Sequence, residues 1–120
     1  MKKVLIIDDE PDVCETMKMI VERAGYNAEY ATDPVKGLKA MRGFDIVLLD
    51  IMMPKMSGRR VLEEMKKKKI KTPVIAVSAV GFHVEIAKEL AAKYPGTSFV
   101  EKTEMATTLT DRIRKTIGAP

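Results

Sequence analysis

Short apolar runs alternate with segments whose apolar residues recur at helical spacing, and this alternation restricts the fold more than any other feature of the chain. Residues 3–8 (KVLIID), 28–31 (AEYA), 45–50 (DIVLLD), 73–78 (PVIAVS) and 97–101 (TSFVE) are β-branched or apolar and bounded by turn residues, as strands are. After the first run, Val13, Met17, Ile20, Val21 and Ala24 mark one helical face, and Gly25 follows as a C-cap. Thr32 or Asp33 caps a second helix, with Pro34 in its first turn and Gly43 beyond its end. Val61, Leu62 and Met65 lie on a third helix starting near Ser57. Ile86, Ala87 and Leu90 belong to a fourth, closed by Pro95-Gly96, and Met105, Leu109, Ile113 and Ile117 stripe a fifth. Five such strand–helix units, with the first, third and fourth strands strongly apolar, predict a parallel sheet covered by helices on both faces. The methionines in these stripes read as core filler.

The 120 residues suit one domain spanning 1–120, and the chain ends in Ile-Gly-Ala-Pro directly after the fifth stripe, so no effector domain is expected within it. "MKKVLIIDDE" meets acids after four apolar residues, too soon for a secretory h-region, and no apolar run is long enough to cross a bilayer. Cys14 is the single cysteine, so no internal disulfide can form; a reducing cytoplasm is the natural compartment, and Cys14 reads as helix packing. The net charge of +4 invites a nucleic-acid reading. Against it, the densest block, Lys66 to Lys69, closes a helix, where cations complement the dipole. No aromatic residue interleaves with that block to stack bases.

In open parallel sheets, ligands bind outside the carboxyl ends of the strands. At that rim the first strand presents Asp8 and Asp9, the third Asp50, the fourth Ser78, and the fifth is followed at once by Lys102. Helix-start acids are favourable on their own, and Glu10 and Asp12 fit that dipole role. Three carboxylates converging on one crevice need more, because their repulsion raises a pKa or demands a cation. A hard divalent ion such as Mg²⁺, with Mn²⁺ as the alternative, takes oxygen ligands of this kind.

These residues carry a resemblance. "LIIDDE", "DIVLLDIMMPKMSG", "VIAVSA" and "FVEK" resemble the receiver domain of two-component response regulators, and the likeness covers essentially the whole chain. It implies a doubly wound, flavodoxin-like (βα)5 sheet in strand order 2-1-3-4-5. It also implies that Asp50 accepts a phosphoryl group from a sensor histidine kinase or phosphotransfer protein. By the same resemblance Asp8, Asp9, Asp50 and the Met52 backbone carbonyl hold Mg²⁺, Ser78 and Lys102 contact the phosphoryl group, and Ala79 leaves room for it. Phe99 is then the aromatic that turns inward, and an output protein docks on the fourth helix, fifth strand and fifth helix, roughly Phe82 to Lys115. Such a domain is a regulatory phosphoacceptor that assists only its own phosphorylation and dephosphorylation.

Two departures stand out. Thr103 follows the lysine where the family usually has proline, so the Lys102–Thr103 peptide is expected to be trans. Met52 and Val80, each two residues beyond a site residue, are apolar and offer no side-chain hydrogen bond to a hydrolytic water. Met52 also weighs against an aspartate-nucleophile phosphohydrolase, which commonly places an acid there. A flavin or nucleotide binder of the same architecture would need a glycine-rich loop where this chain has Asp-Asp-Glu-Pro-Asp. A non-phosphorylated pseudo-receiver would not need the complete acceptor set. The lone His83 lacks companions for a metal site and is expected at the surface.

Overall fold

The computed structural model describes residues 1–79 and 84–120. Val80, Phe82 and His83, named above, lie outside the described residues. The order is β1 (Lys3–Ile7), α1 (Pro11–Arg23), β2 (Asn27–Ala31), α2 (Pro34–Ala40), β3 (Ile46–Asp50), α3 (Gly58–Lys67), β4 (Val74–Ser78), α4 (Val84–Lys93), β5 (Thr97–Glu101) and α5 (Met105–Ile117). One turn of 3-10 helix extends α2 over Met41–Gly43, and another, Lys102–Glu104, joins β5 to α5. All five strands are parallel, in the order β2-β1-β3-β4-β5. This is the doubly wound (βα)5 sheet with order 2-1-3-4-5.

Side chains alternate across the strands with period two and so build two cores. Val4, Ile6, Ile46, Leu48, Ile75, Val77 and Val100 face α1 and α5, meeting Cys14, Met17, Val21, Leu109 and Ile113. Leu5, Ile7, Val47, Leu49 and Val74 face the other way, against Leu38, Val61, Leu62, Met65 and Leu90. β3 and β4 are buried along their whole length, which explains their unbroken apolar runs.

Strand ends differ from expectation by one residue, for local reasons. Asp8 lies just past β1: its N–H still donates to the Ala31 carbonyl at 3.3 Å, but its side chain turns to accept from the Glu10 N–H. Asp45 precedes β3 because its carboxylate accepts from the Lys3 N–H at 2.7 Å. Helix ends follow the expected caps. Asp33, not Thr32, accepts from the Val35 N–H, and Ser57 accepts from Arg60. Gly25 has φ +100° and closes α1: its N–H donates to Glu22 and that of Tyr26 to Val21, a Schellman arrangement. α3 ends the same way, with Lys69 at φ 57° where glycine is usual. Among the described residues no cis peptide occurs, as expected for Lys102–Thr103. Also among them, no helix is long and apolar enough to cross a membrane.

Candidate functional site

Strand register sets the site. β1 and β3 pair Ile7 with Leu49, so one step further along the chain Asp8 and Asp50 leave the sheet side by side. Counting by twos from Ile6, Leu48 and Val100 puts Asp8, Asp50 and Lys102 on the α1/α5 side of the sheet. Ser78 and Phe99 fall on the opposite side. Phe99 is half-buried against the α2/α3/α4 core, level with Ala76 and one pleat from Ser78 on the adjacent strand.

Asp8, Asp50 and Ser78 are the buried polar side chains in the described residues, at 0%, 1% and 2% exposure. Lys102 reaches into the crevice with its Nζ 3.4 Å from Asp50 Oδ1 and 3.6 Å from Asp8 Oδ2. Sequence reasoning left this lysine free for a phosphoryl group; here it already bridges two carboxylates. Burial opposes its charge, yet Asp50 and Asp8 outweigh that and hold its pKa above the ordinary lysine value. Burial first, and then the Asp8 charge, push Asp50 up to about 6 against the partial relief from Lys102 and the Met52 N–H. Asp8 is raised too, chiefly by burial.

The carboxylate oxygens decide what the cluster can do. Asp8 Oδ1 accepts from the Glu10 N–H at 2.9 Å, while the buried Asp8 Oδ2 has no hydrogen bond among the described residues and only the longer Lys102 contact at 3.6 Å. Asp50 Oδ1 accepts from the Met52 N–H at 3.2 Å. Asp8, Asp9 and Asp50 offer oxygens lying within 4.8 Å of one another. An all-oxygen, acid-rich set in which the Asp8 and Asp50 carboxylates share one lysine ammonium fits a hard divalent cation.

The other expected residues sit around this crevice. Met52 is 68% exposed and Ala79 is exposed beyond Ser78. Cys14 is buried with its Sγ 3.2 Å from the Asp8 carbonyl, and burial pushes its thiol to about 12. It is helix packing, as read from the sequence.

Gly58 is a supporting residue to which sequence reasoning gave no role. Its N–H donates to the Ile51 carbonyl at 2.9 Å, folding the loop after Asp50 back onto α3. A Cβ there would lie 2.6 Å from the Asp50 carbonyl oxygen and 2.7 Å from Ile51 Cα. The Asp-x-x-x-Pro-x-x-x-Gly spacing was the available signal, since a glycine at a loop–helix junction marks close backbone approach.

The comparisons agree with this geometry. The family model described as response regulator receiver domain matches residues 4–114. The alkaline phosphatase synthesis transcriptional regulatory protein PhoP of Bacillus subtilis is 31% identical over 80 residues, covering 65% of this chain and 33% of that protein. The chain thus spans about a third of the length of the curated relatives it matches. Among solved structures, the Francisella response regulator 1452 receiver domain superposes with a TM-score of 0.86 at 27% identity, covering 98% of this chain and 97% of that one. The response regulator TrrA of Thermotoga maritima, solved with Mg²⁺ and BeF, gives 0.81 at 29% identity, covering 97% and 99%. A family match over nearly the whole chain coincides with acids at the ends of β1 and β3 and a lysine after β5, and the chain belongs to the response regulator receiver domain family.

Proposed function

We propose that residues 1–120 act as one phosphoaccepting receiver domain in which Asp50 is the nucleophile. The observation that carries this is the Lys102 ammonium held between Asp50 and Asp8 in a buried crevice. Asp50 projects from the end of a rigid, fully buried strand, and with a pKa of about 6 it is mostly ionised at pH 7.5. A carboxylate oxygen attacks phosphorus of a phosphohistidine on a sensor kinase or phosphotransfer protein. The P–N bond breaks, the imidazole leaves with its electron pair, and Asp50 becomes an acyl phosphate.

Asp8, Asp9 and Asp50, with the Met52 carbonyl, would hold Mg²⁺, a reading supported by the close approach of the three carboxylates and by the Mg²⁺ complex of TrrA. When bound, Mg²⁺ neutralises charge on the transferring group. Lys102 exchanges its carboxylate partners for a phosphoryl oxygen, and the Ser78 hydroxyl donates to another. Ala79, small and exposed, leaves room for the group.

The acyl phosphate adds negative charge and acceptor oxygens that draw Ser78 inward. Ser78 and Phe99 share one side of adjacent strands, so movement of the first frees space for the second to turn further in. The α4, β5 and α5 surface then reports the phosphate to an output protein. The partners are those of a cytoplasmic two-component relay.

The test is direct phosphorylation. Acetyl phosphate with Mg²⁺ should add one phosphoryl mass to the wild type and none to Asp50→Asn. Label retained on Asp50→Asn would remove Asp50 as acceptor.

A further inference from the structure

Among the described residues of α4 only Leu90 is buried, whereas α1 buries Cys14, Met17 and Val21 and α3 buries Val61, Leu62 and Met65. Apolar packing therefore holds α4 less firmly than these helices. Polar ties to α3 add to it: Arg59 Nη1 stands 3.1 Å from Glu89 Oε1, and the Lys66 ammonium donates to the Lys93 carbonyl at 3.2 Å. The first joins the start of α3 to the middle of α4, and the second joins their C-terminal ends.

The loop after Asp50 places Arg59. Arg59 follows Gly58, whose N–H donates to the Ile51 carbonyl at 2.9 Å and on which a Cβ would lie 2.6 Å from the Asp50 carbonyl oxygen. The Arg59 backbone is thus fixed one residue from a glycine packed on the end of β3. On the other side of the pair, α4 follows β4, which ends at Ser78. An ion pair whose side chains are 43% and 55% exposed ordinarily adds little to stability. An equilibrium between two arrangements of one helix is more sensitive, because a few-fold bias changes their ratio by that same factor.

We propose that the Arg59–Glu89 pair is an autoinhibitory latch, which holds α4 on α3 in the unphosphorylated arrangement and parts when the end of β4 moves toward a phosphoryl group. The proposal rests on Asp50 as the acceptor. It adds a direct link from the loop after Asp50 to α4, separate from Ser78 and Phe99. By reciprocity, a contact made only in the unphosphorylated arrangement weakens the binding of any ligand that selects the other.

Beryllofluoride, a stand-in for the phosphoryl group, tests this in the presence of Mg²⁺. Arg59→Gln and Glu89→Gln should each tighten its binding by up to about fivefold, the factor carried by the strongest exposed ion pairs. Without beryllofluoride, both variants should displace the amide NMR peaks of residues 85–93 part of the way along the line that leads to their positions in the beryllofluoride-bound wild type. The two substitutions together should do no more than either alone, and Arg59→Glu combined with Glu89→Arg should bring both readouts back toward wild type. Unchanged or weakened beryllofluoride affinity, peaks displaced off that line, additive effects, or no return in the reversed pair would each overturn the latch. The acceptor reading fails separately, if beryllofluoride binds Asp50→Asn as it binds the wild type; the response of the Arg59 and Glu89 variants still decides the latch.

Discussion

Replacing Asp50 with Asn should stabilise the metal-free protein at neutral pH, although it removes the proposed nucleophile. Asp50 is raised from an ordinary 3.8 to about 6 in the fold. A carboxyl whose folded pKa lies above its unfolded one binds protons more tightly when folded, so ionising it opposes folding. The penalty is absent well below pH 3.8, grows as pH rises to about 6, and is constant above that. At about 1.4 kcal/mol per pKa unit it reaches about 3 kcal/mol at pH 7.5 and falls to about 0.5 kcal/mol at pH 4. Asparagine keeps the oxygen that accepts from the Met52 N–H and leaves Lys102 paired with Asp8, so little else is lost. Urea unfolding in EDTA at the two pH values should show Asp50→Asn more stable by about 2–3 kcal/mol at pH 7.5, with the advantage largely gone at pH 4. Mg²⁺ should then stabilise the wild type more than the variant, because a ligand that binds only the folded state adds stability by mass action. An advantage equal at both pH values, or none at pH 7.5, would refute the claim that mutual repulsion and burial strain this site.

Gly58→Ala forces a Cβ against the Asp50 carbonyl and Ile51 Cα. It should cost about 1–3 kcal/mol in urea unfolding, and slow phosphorylation by acetyl phosphate by up to about 100-fold as the loop shifts. Lys69→Gly relieves a left-handed lysine at φ 57°; with the added unfolded-state entropy of glycine subtracted, it should gain up to about 1 kcal/mol without altering phosphorylation. Met52 is exposed two residues beyond the proposed acceptor and apolar, so the acyl phosphate should be long-lived. Met52→Asn should orient water and speed phosphate loss by up to about tenfold, below the 10²–10⁴ that full acid–base groups supply; decay measured after donor removal checks it.

The site was legible in the sequence because of how a parallel sheet is built. Asp50 ends β3 and Ser78 ends β4, while Asp8 and Lys102 follow β1 and β5 directly, so each reaches the carboxyl rim whatever the surrounding helices do. The alternation of side chains then fixes which face each occupies, and the burial of both β3 faces is already written in Ile46 to Leu49. Elements whose meaning depends on approach between distant backbones were harder. Gly58 announces a turn, but only the folded loop shows that a β-carbon there would meet the Asp50 carbonyl and Ile51 Cα. Lys69 takes the left-handed position because the turn returns the Ile70 N–H to the Met65 carbonyl and sets Ile70 in the core cluster with Val47 and Val74, a packing demand that outweighs its own preference. The lysine run shows the limit most clearly. Read along the chain, its members are equivalent solvated charges, yet helix rotation folds Lys66 over Tyr94 and onto the end of α4 while Lys67 pairs with Glu64. Strand ends are placed by topology and helix ends by packing, so which residues reach the carboxyl edge is readable one by one, whereas the contact of Lys66 with Tyr94 and the end of α4 exists only once the helices have packed.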